Sequence, residues 1–410
     1  MSHPNATVAV PVGGMSQSSS PLVDGRNAVL RIAQLGAFPP DPEKIGGGVS
    51  AVIKHLACGL ARREDAEVHV LSCHPELSAP ERREYAGVHL HALPGQKRFG
   101  VITGGFWEQR TLRRYLAELR PDIVHGHGSG PYALAALESG YPAIVTPHGM
   151  KSREHNLNAS LTGRVRRYCE LRGERRMLSR ARHLFSIADY VTECVGPFTR
   201  AKMFPTRNPV DDGLFSLDGT ERALTVLCVA VISPRKGQLD LVRAFAKVAA
   251  DFPAAELRLI GKVGDADYKA QVQSAIDGAG IASRAGFVGH VSTSDLRRYF
   301  SECAAFALCS FEETSPVSIA EAMTLGKPAI ATRVGGVPSL VDDGRTGILV
   351  NYGDVEAIAA ALRALLSDAA RRRQFGAAAR EIAERRFRPA AAAAEAMAAY
   401  REVIADWRRQ

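Results

Sequence analysis

Two carboxylates eight residues apart, Glu313 and Glu321, stand between an apolar run and a pair of glycines. The stretch SFEETSPVSIAEAMTLGKP (Ser310 to Pro328) follows CAAFALC (Cys303 to Cys309), which reads as a buried strand. After it come the apolar AIATRV and then Gly335-Gly336. Strand, acidic loop, helix, strand and paired glycines describe a ligand site at the carboxyl edge of a parallel sheet. A helix amino terminus there offers unpaired N–H groups to an anion. Carboxylates repel phosphate, so beside an anion site they need a different purpose. Gripping the hydroxyls of a sugar and a ribose, while the helix end holds a diphosphate, supplies one. Taken alone, the pair reads more readily as two glutamates on a helix surface. The surrounding elements favour a nucleotide-sugar site.

Three further groups could share that chemistry. Ser233-Pro234-Arg235-Lys236-Gly237 follows a buried strand, and two adjacent cations at a strand's carboxyl end suit a pyrophosphate. Basic turns are also common on surfaces. Gly46-Gly47-Gly48 precedes a helical pattern; glycine permits close backbone approach and positive φ. No Lys-Ser/Thr follows at P-loop spacing, and the triplet is not GxGxxG. Pro147-His148-Gly149-Met150 ends the strand AIVT, which places an imidazole at the mouth of the sheet. His125 and His127, in HGHG, end another strand.

The acidic stretch resembles the EX7E element of the retaining glycosyltransferases of family 4, which have the GT-B fold. The matching residues are Ser310, Glu313, Pro316, Glu321, Ala322, Met323, Gly326, Pro328, Ala331, Thr332, Gly335 and Gly336. The likeness extends over nearly all of the chain after residue 29. It implies two Rossmann-like doubly wound α/β domains facing a cleft. It also implies a nucleoside-diphosphate sugar as donor, with no cofactor and no metal. Glu321 would hold the ribose and Glu313 the donor sugar. Arg235 and Lys236 would bind the leaving diphosphate, Gly47 and Gly48 would face its phosphates, and His148 would lie near the reacting sugar. His127 is a candidate for the acceptor cleft. Retention would follow front-face attack, in which the leaving phosphate takes the acceptor's proton. Thr314 stands where the family has glycine, Ser339 where it often has glutamate, and Asn208-Pro209 where it has Asn-Gly. Thr314 puts a side chain beside the sugar pocket, so the donor sugar does not carry over.

The rest of the chain must position these groups. Its 410 residues suit two domains, and a hydrophobic share of 46% is that of an ordinary globular protein. Strands expected at 28–36, 67–72, 88–93, 122–127, 143–147 and 183–187 alternate with helices, and a second alternating series begins at 224. Such alternation gives doubly wound parallel sheets. The segment 204–220, rich in Pro, Gly and Asp, reads as a linker. The expected division is a disordered leader over 1–27 and an acceptor-side domain over 28–207. A nucleotide-sugar-binding domain over 208–387 follows, then a terminal helix over 388–410 that crosses back to the first domain. The leader lacks the basic and apolar regions of a signal peptide.

Seven cysteines without metal-type spacing suit buried thiols in a cytosolic protein. No apolar run approaches the ~20 residues of a membrane span. The net charge of +9 favours an anionic partner, and eight arginines crowd residues 164–182. They make either a solvated helix face or a surface for anionic lipid headgroups. The expected partners are therefore a nucleotide-sugar donor and a saccharide or lipid-linked acceptor. An anionic membrane surface is a further candidate, and the expected location is the cytoplasm or the inner face of the membrane. No nucleic-acid module is present. Rival readings are an epimerase or phosphorylase on the same fold, a soluble transferase with a small-molecule acceptor, and a non-catalytic basic binding protein.

Overall fold

A computed structural model of the chain describes residues 29–43, 46–96, 104–153, 161–221 and 224–410. The leader, 1–27, lies outside the described residues. The first half runs β1 (Leu30–Leu35), α1 (Gly48–Ala61), β2 (Ala66–His74), β3 (Glu81–Tyr85), β4 (Val88–Pro94), α2 (Phe106–Leu119) and β5 (Ile123–His127). It continues with α3 (Pro131–Leu137), β6 (Ala143–Thr146), α4 (Leu161–Arg180), β7 (His183–Ser186), α5 (Asp189–Val195) and β8 (Lys202–Pro205). The second half runs β9 (Thr225–Val229), α6 (Gln238–Val248), β10 (Glu256–Ile260), α7 (Ala266–Gly278), β11 (Ala285–Gly289), α8 (Thr293–Glu302) and β12 (Ala305–Leu308). It ends with α9 (Val317–Thr324), β13 (Ala329–Thr332), β14 (Gly347–Val350), α10 (Val355–Ser367), α11 (Ala369–Arg386) and α12 (Pro389–Arg408).

The strands form an eight-stranded sheet, ordered β3-β4-β2-β1-β5-β6-β7-β8, and a six-stranded sheet, ordered β11-β10-β9-β12-β13-β14. Inner strands such as β12 (AFAL) and β13 (AIAT) are near-continuous apolar runs, because helices cover both faces of a parallel sheet. Strand order reverses between β1 and β5 in the first sheet and between β9 and β12 in the second. A crevice opens outside the carboxyl ends of the strands at each switch point.

Three elements depart from the sequence expectation. β3, with the sequence ERREY, pairs antiparallel with β4 at one edge, so the first sheet is not wholly parallel. β8 takes Phe204 and Pro205 into the opposite edge, out of the segment read as a linker. The short helix α5 lies between β7 and β8. Beyond β8 the chain crosses to the second sheet, and after α11 it returns. The two crossings touch, since Val210 N–H donates to the Phe387 carbonyl at 3.0 Å. Arg62, just past the end of α1, pairs with Asp212 at 2.5 Å, and Arg388 lies 3.7 Å from the same carboxylate.

The alanine-rich helix α12 fills the core of the first half. Ala392, Ala393, Ala396, Met397, Tyr400 and Val403 pack with Ile32, Val68 and Leu56. The small side chains let two helices approach closely: a Cβ at Gly59 on α1 would stand 2.5 Å from the Pro389 carbonyl oxygen.

Candidate active site

The carboxyl ends of both sheets open onto one cavity of about 510 Å³. Its walls include Gly46–Gly48, His148, Arg235–Lys236, Lys262, Glu313–Ser318 and Glu321. The glycine loop follows β1, the cationic turn follows β9 and the acidic loop follows β12, so both switch points contribute.

The acidic loop is held from several sides. Ser310 donates to Glu313 Oε1 at 2.7 Å, and Lys236 Nζ donates to the same oxygen. Gly336 N–H donates to the Glu313 carbonyl at 2.9 Å. Gly335 has φ +50°, and a Cβ at Gly335 or Gly336 would overlap the Glu313 or Thr314 carbonyl oxygen. The paired glycines therefore admit the loop's backbone to close contact. Asn208, in the Asn-Pro departure, donates to the Ser315 carbonyl at 3.0 Å and ties the crossing segment to the loop.

Arg235 and Lys236 occupy a short 3-10 turn, Pro234–Lys236, closed by Gly237 at φ +65°. Arg235 reaches Glu312 at 3.3 Å, and its carbonyl accepts from Phe311 N–H at 2.8 Å. The cationic turn and the acidic loop thus brace each other.

Glu321 stands on α9 in a different electrostatic setting. No ion pair or hydrogen bond to its carboxyl is found among the described residues. It keeps part of its surface open to the cavity. Burial, with a smaller contribution from the Asp211 carboxylate, pushes its pKa up to about 8. Asp211 is itself engaged, accepting from Gly213 N–H at 3.0 Å and from Arg297 Nε at 2.7 Å.

Two helices begin at this cavity without a side-chain cap: α1 at Gly47 and α9 at Pro316. Their first N–H groups, with the positive ends of the helix dipoles, suit an anion. The glycine triplet does not serve positive φ, contrary to expectation: Gly47 is extended at φ 177° and the loop's glycines are outside the left-handed region. A Cβ at Gly47 would meet nothing within 4 Å, so glycine there leaves the backbone bare toward the cavity. At Gly46 a Cβ would collide with the Lys262 ammonium, which reaches over the loop from beyond β10.

His148 lines the cavity, and His127 does not. His127 is buried behind it, with Nδ1 2.9 Å from His148 Nε2 and the rings stacked at 5.2 Å. His125 meets His127 with the rings tilted by 32° and their centroids 4.1 Å apart, and it contacts Tyr400 Oη at 2.8 Å and Thr146 Oγ1 at 2.7 Å. Burial lowers all three imidazoles: His125 to about 3, His148 to about 4, and His127 well below the ordinary value. Each is neutral near pH 7. The turn after His148 is fixed by buried Glu174, which accepts from Lys151 N–H at 2.5 Å and Ser152 N–H at 3.1 Å.

Sequence reasoning missed Lys262, Asp211, Arg297, Glu174 and Tyr400 as neighbours of the site. Lys262 had a signal, since it follows a glycine at a strand's carboxyl end, and Gly261 adopts φ +150°. Tyr400 had none, because its place depends on the return of α12.

Two doubly wound sheets meeting over a cleft of this composition define the GT-B class of glycosyltransferase. The model of glycosyl transferases group 1 matches residues 215–382, and that of glycosyltransferase family 4 matches 46–212. The chain belongs to the family 4 glycosyltransferases. It is similar to the D-inositol 3-phosphate glycosyltransferase of Corynebacterium diphtheriae, 26% identical with 86% of this chain and 90% of that protein covered. The Stackebrandtia nassauensis protein of the same name is 29% identical, with 83% of each covered. A GDP-mannose-dependent phosphatidylinositol monomannoside mannosyltransferase of Mycolicibacterium smegmatis is 32% identical over 38% of this chain and 42% of its own length. Among solved structures, sucrose-phosphate synthase from Thermosynechococcus elongatus superposes with a TM-score of 0.76 at 21% identity, covering 92% of this chain and all (100%) of that one. Anabaena HepE, solved with UDP and glucose, superposes at 0.69 with 20% identity, covering 90% of this chain and 98% of that one.

Proposed function

We propose that this glycosyltransferase moves a hexosyl group from a nucleoside-diphosphate sugar to a saccharide or lipid-linked saccharide, with retention and without a metal. The observation that carries the donor reading is the cavity itself. It gathers a carboxyl without a protein partner among the described residues at Glu321, the Arg235–Lys236 turn and two uncapped helix starts. Glu321 accepts from the ribose hydroxyls and Glu313 from hydroxyls of the sugar. Arg235, Lys236 and the N–H groups near Gly47 and Gly48 take the diphosphate, whose charge grows as the glycosidic C–O bond breaks. His148 meets the sugar. The acceptor hydroxyl attacks the anomeric carbon from the face the phosphate leaves, its proton passing to the departing phosphate oxygen. The metal-free reading rests on the sequence, where no DxD lies between apolar strands of the first half.

A lipid-linked acceptor is favoured by α4. Arg164, Arg172 and Arg175 are exposed, as are Val165 at 44% and Tyr168 at 64%. Among the described residues no helix is long and apolar enough to cross a membrane, so attachment would be peripheral. The M. smegmatis relative, named for a phosphatidylinositol mannoside, supports the same acceptor class.

The deciding experiment is a thermal-shift screen of nucleotide sugars. A true donor at 100 times its dissociation constant stabilises the fold by ~2.7 kcal/mol. Absence of any shift across UDP-, GDP-, ADP- and dTDP-sugars would overturn the donor reading. With a donor in hand, transfer is expected to persist in excess EDTA; loss restored by Mg or Mn would overturn the metal-free mechanism.

A further inference from the structure

The imidazole stack behind the cavity has a directional consequence. A neutral imidazole carries one N–H and one lone-pair nitrogen. His127 Nε2 is enclosed and meets no hydrogen-bond partner among the described residues. A proton there would be a buried donor with no acceptor, an arrangement rarer in folded proteins than an unmet acceptor. On Nδ1 the same proton is donated to His148 Nε2, 2.9 Å away. His148 Nε2 is then an acceptor, and the single proton of His148 sits on Nδ1. That nitrogen meets no hydrogen-bond partner among the described residues, and His148 lines the cavity. The near-parallel rings, 14° apart, fix the plane in which it is presented. His127 is held in turn by His125, which Tyr400 and Thr146 grip at both nitrogens.

We propose that His127 is a positioning residue that locks His148 as the Nδ1–H tautomer, so that His148 offers the cavity a hydrogen-bond donor and not a base. The inference rests on the reading of this cavity as the site of transfer. There, an Nδ1–H meets an oxygen of the donor sugar and cannot accept the proton of the acceptor hydroxyl. That proton is left to the departing phosphate oxygen.

The test is a long-range 1H–15N spectrum of the full chain with labelled histidine, near neutral pH and without ligand. The expected pattern for His148 is a protonated Nδ1 and a bare Nε2. His127→Asn places an amide N–H near the position of the imidazole Nδ1–H and keeps that pattern. His127→Leu, checked for folding by its thermal melt, gives a mixture of tautomers. A His148 proton on Nε2 in the parent chain overturns the proposal, as does an unchanged pattern in folded His127→Leu. Should His127→Leu fail to fold, the parent and His127→Asn spectra decide, and Nε2–H in either overturns it. UDP-glucose and GDP-mannose, each against its bare diphosphate, supply the functional arm. His127→Leu is expected to lower sugar-nucleotide affinity by roughly tenfold, the worth of one hydrogen bond. UDP and GDP are unaffected, and His127→Asn restores the loss. Equal losses for the bare diphosphates overturn the assignment to the sugar. Failure of both sugar nucleotides to bind the parent chain counts against the donor reading instead, and the spectrum still decides the tautomer.

Discussion

Glu313 and Glu321 meet the cavity under opposite conditions. Glu313 is neutralised by Lys236 and held by Ser310, whereas Glu321 faces the cleft with no cation beside it among the described residues. Under the proposed roles, Glu321→Ala weakens UDP or GDP itself by roughly 1.5–3 kcal/mol, the worth of a charged hydrogen bond. Glu313→Ala spares the bare diphosphate and weakens the sugar nucleotide, a contrast that calorimetry reads directly. Equal losses in both variants for both ligands would contradict these roles. Protonation adds a second signature. Burial raises Glu321 to about 8, above its value in the unfolded chain, so its contribution to stability is present at low pH and lost as pH rises through about 8. Ribose hydroxyls favour the ionised form, so affinity should climb with pH over that window, and Glu321→Gln should flatten the climb. The glutamates were legible in the sequence because their spacing and flanking glycines are local. His127 was legible as chemistry but not as a side: HGHG puts both histidines at a strand end, and only the fold shows which ring reaches the cavity.

At the scale of elements, the inner strands were legible because runs such as LTVLCVAVI and AAFALC are apolar but for a single threonine and bounded by turns. β3 was not, because ERREY carries four charges and becomes a strand only by pairing with β4 at an edge. β8 escaped notice for a related reason: it is four residues long, ends in proline and lies at the opposite edge. α4 shows how a charge run divides once it is folded. Arg176 and Arg180 converge on Glu138, Arg166 pairs with Glu170, and Met177 is in the core rather than on an amphipathic face. Arg164, Arg172, Arg175 and Arg182 remain exposed. If α4 docks on a membrane, changing these four to glutamine should abolish co-sedimentation with anionic vesicles, each cation near the surface being worth about 1 kcal/mol. Binding by the parent chain should need anionic lipid and fall with salt. No binding at low salt would favour a soluble transferase with a small-molecule acceptor.

Across the whole molecule, the two halves differ in how they should answer acid. Burial lowers His55 and His148 to about 4 and His91 and His125 to about 3, and all four lie in the first half. Their unfolded forms take up protons near 6.5. The stability they contribute is present above that pH and is lost as pH falls toward 4. Urea melts followed at Trp107 in the first half and Trp407 in the returning helix should therefore shift together to lower midpoints between about pH 6.5 and 4. An unchanged midpoint would mean that these imidazoles are already protonated in the folded state. The joint response follows from α12, whose Tyr400 is enclosed among residues of the first half. The same helix also sets an order of assembly during synthesis. The first half leaves the ribosome first, yet the residues that close its core are translated only after every element of the second half. The second half, with its own sheet and clusters, can complete itself earlier. A message cut short before codon 389 would thus yield a finished C-terminal half joined to an N-terminal half with an open core, a substrate for chaperones and proteases.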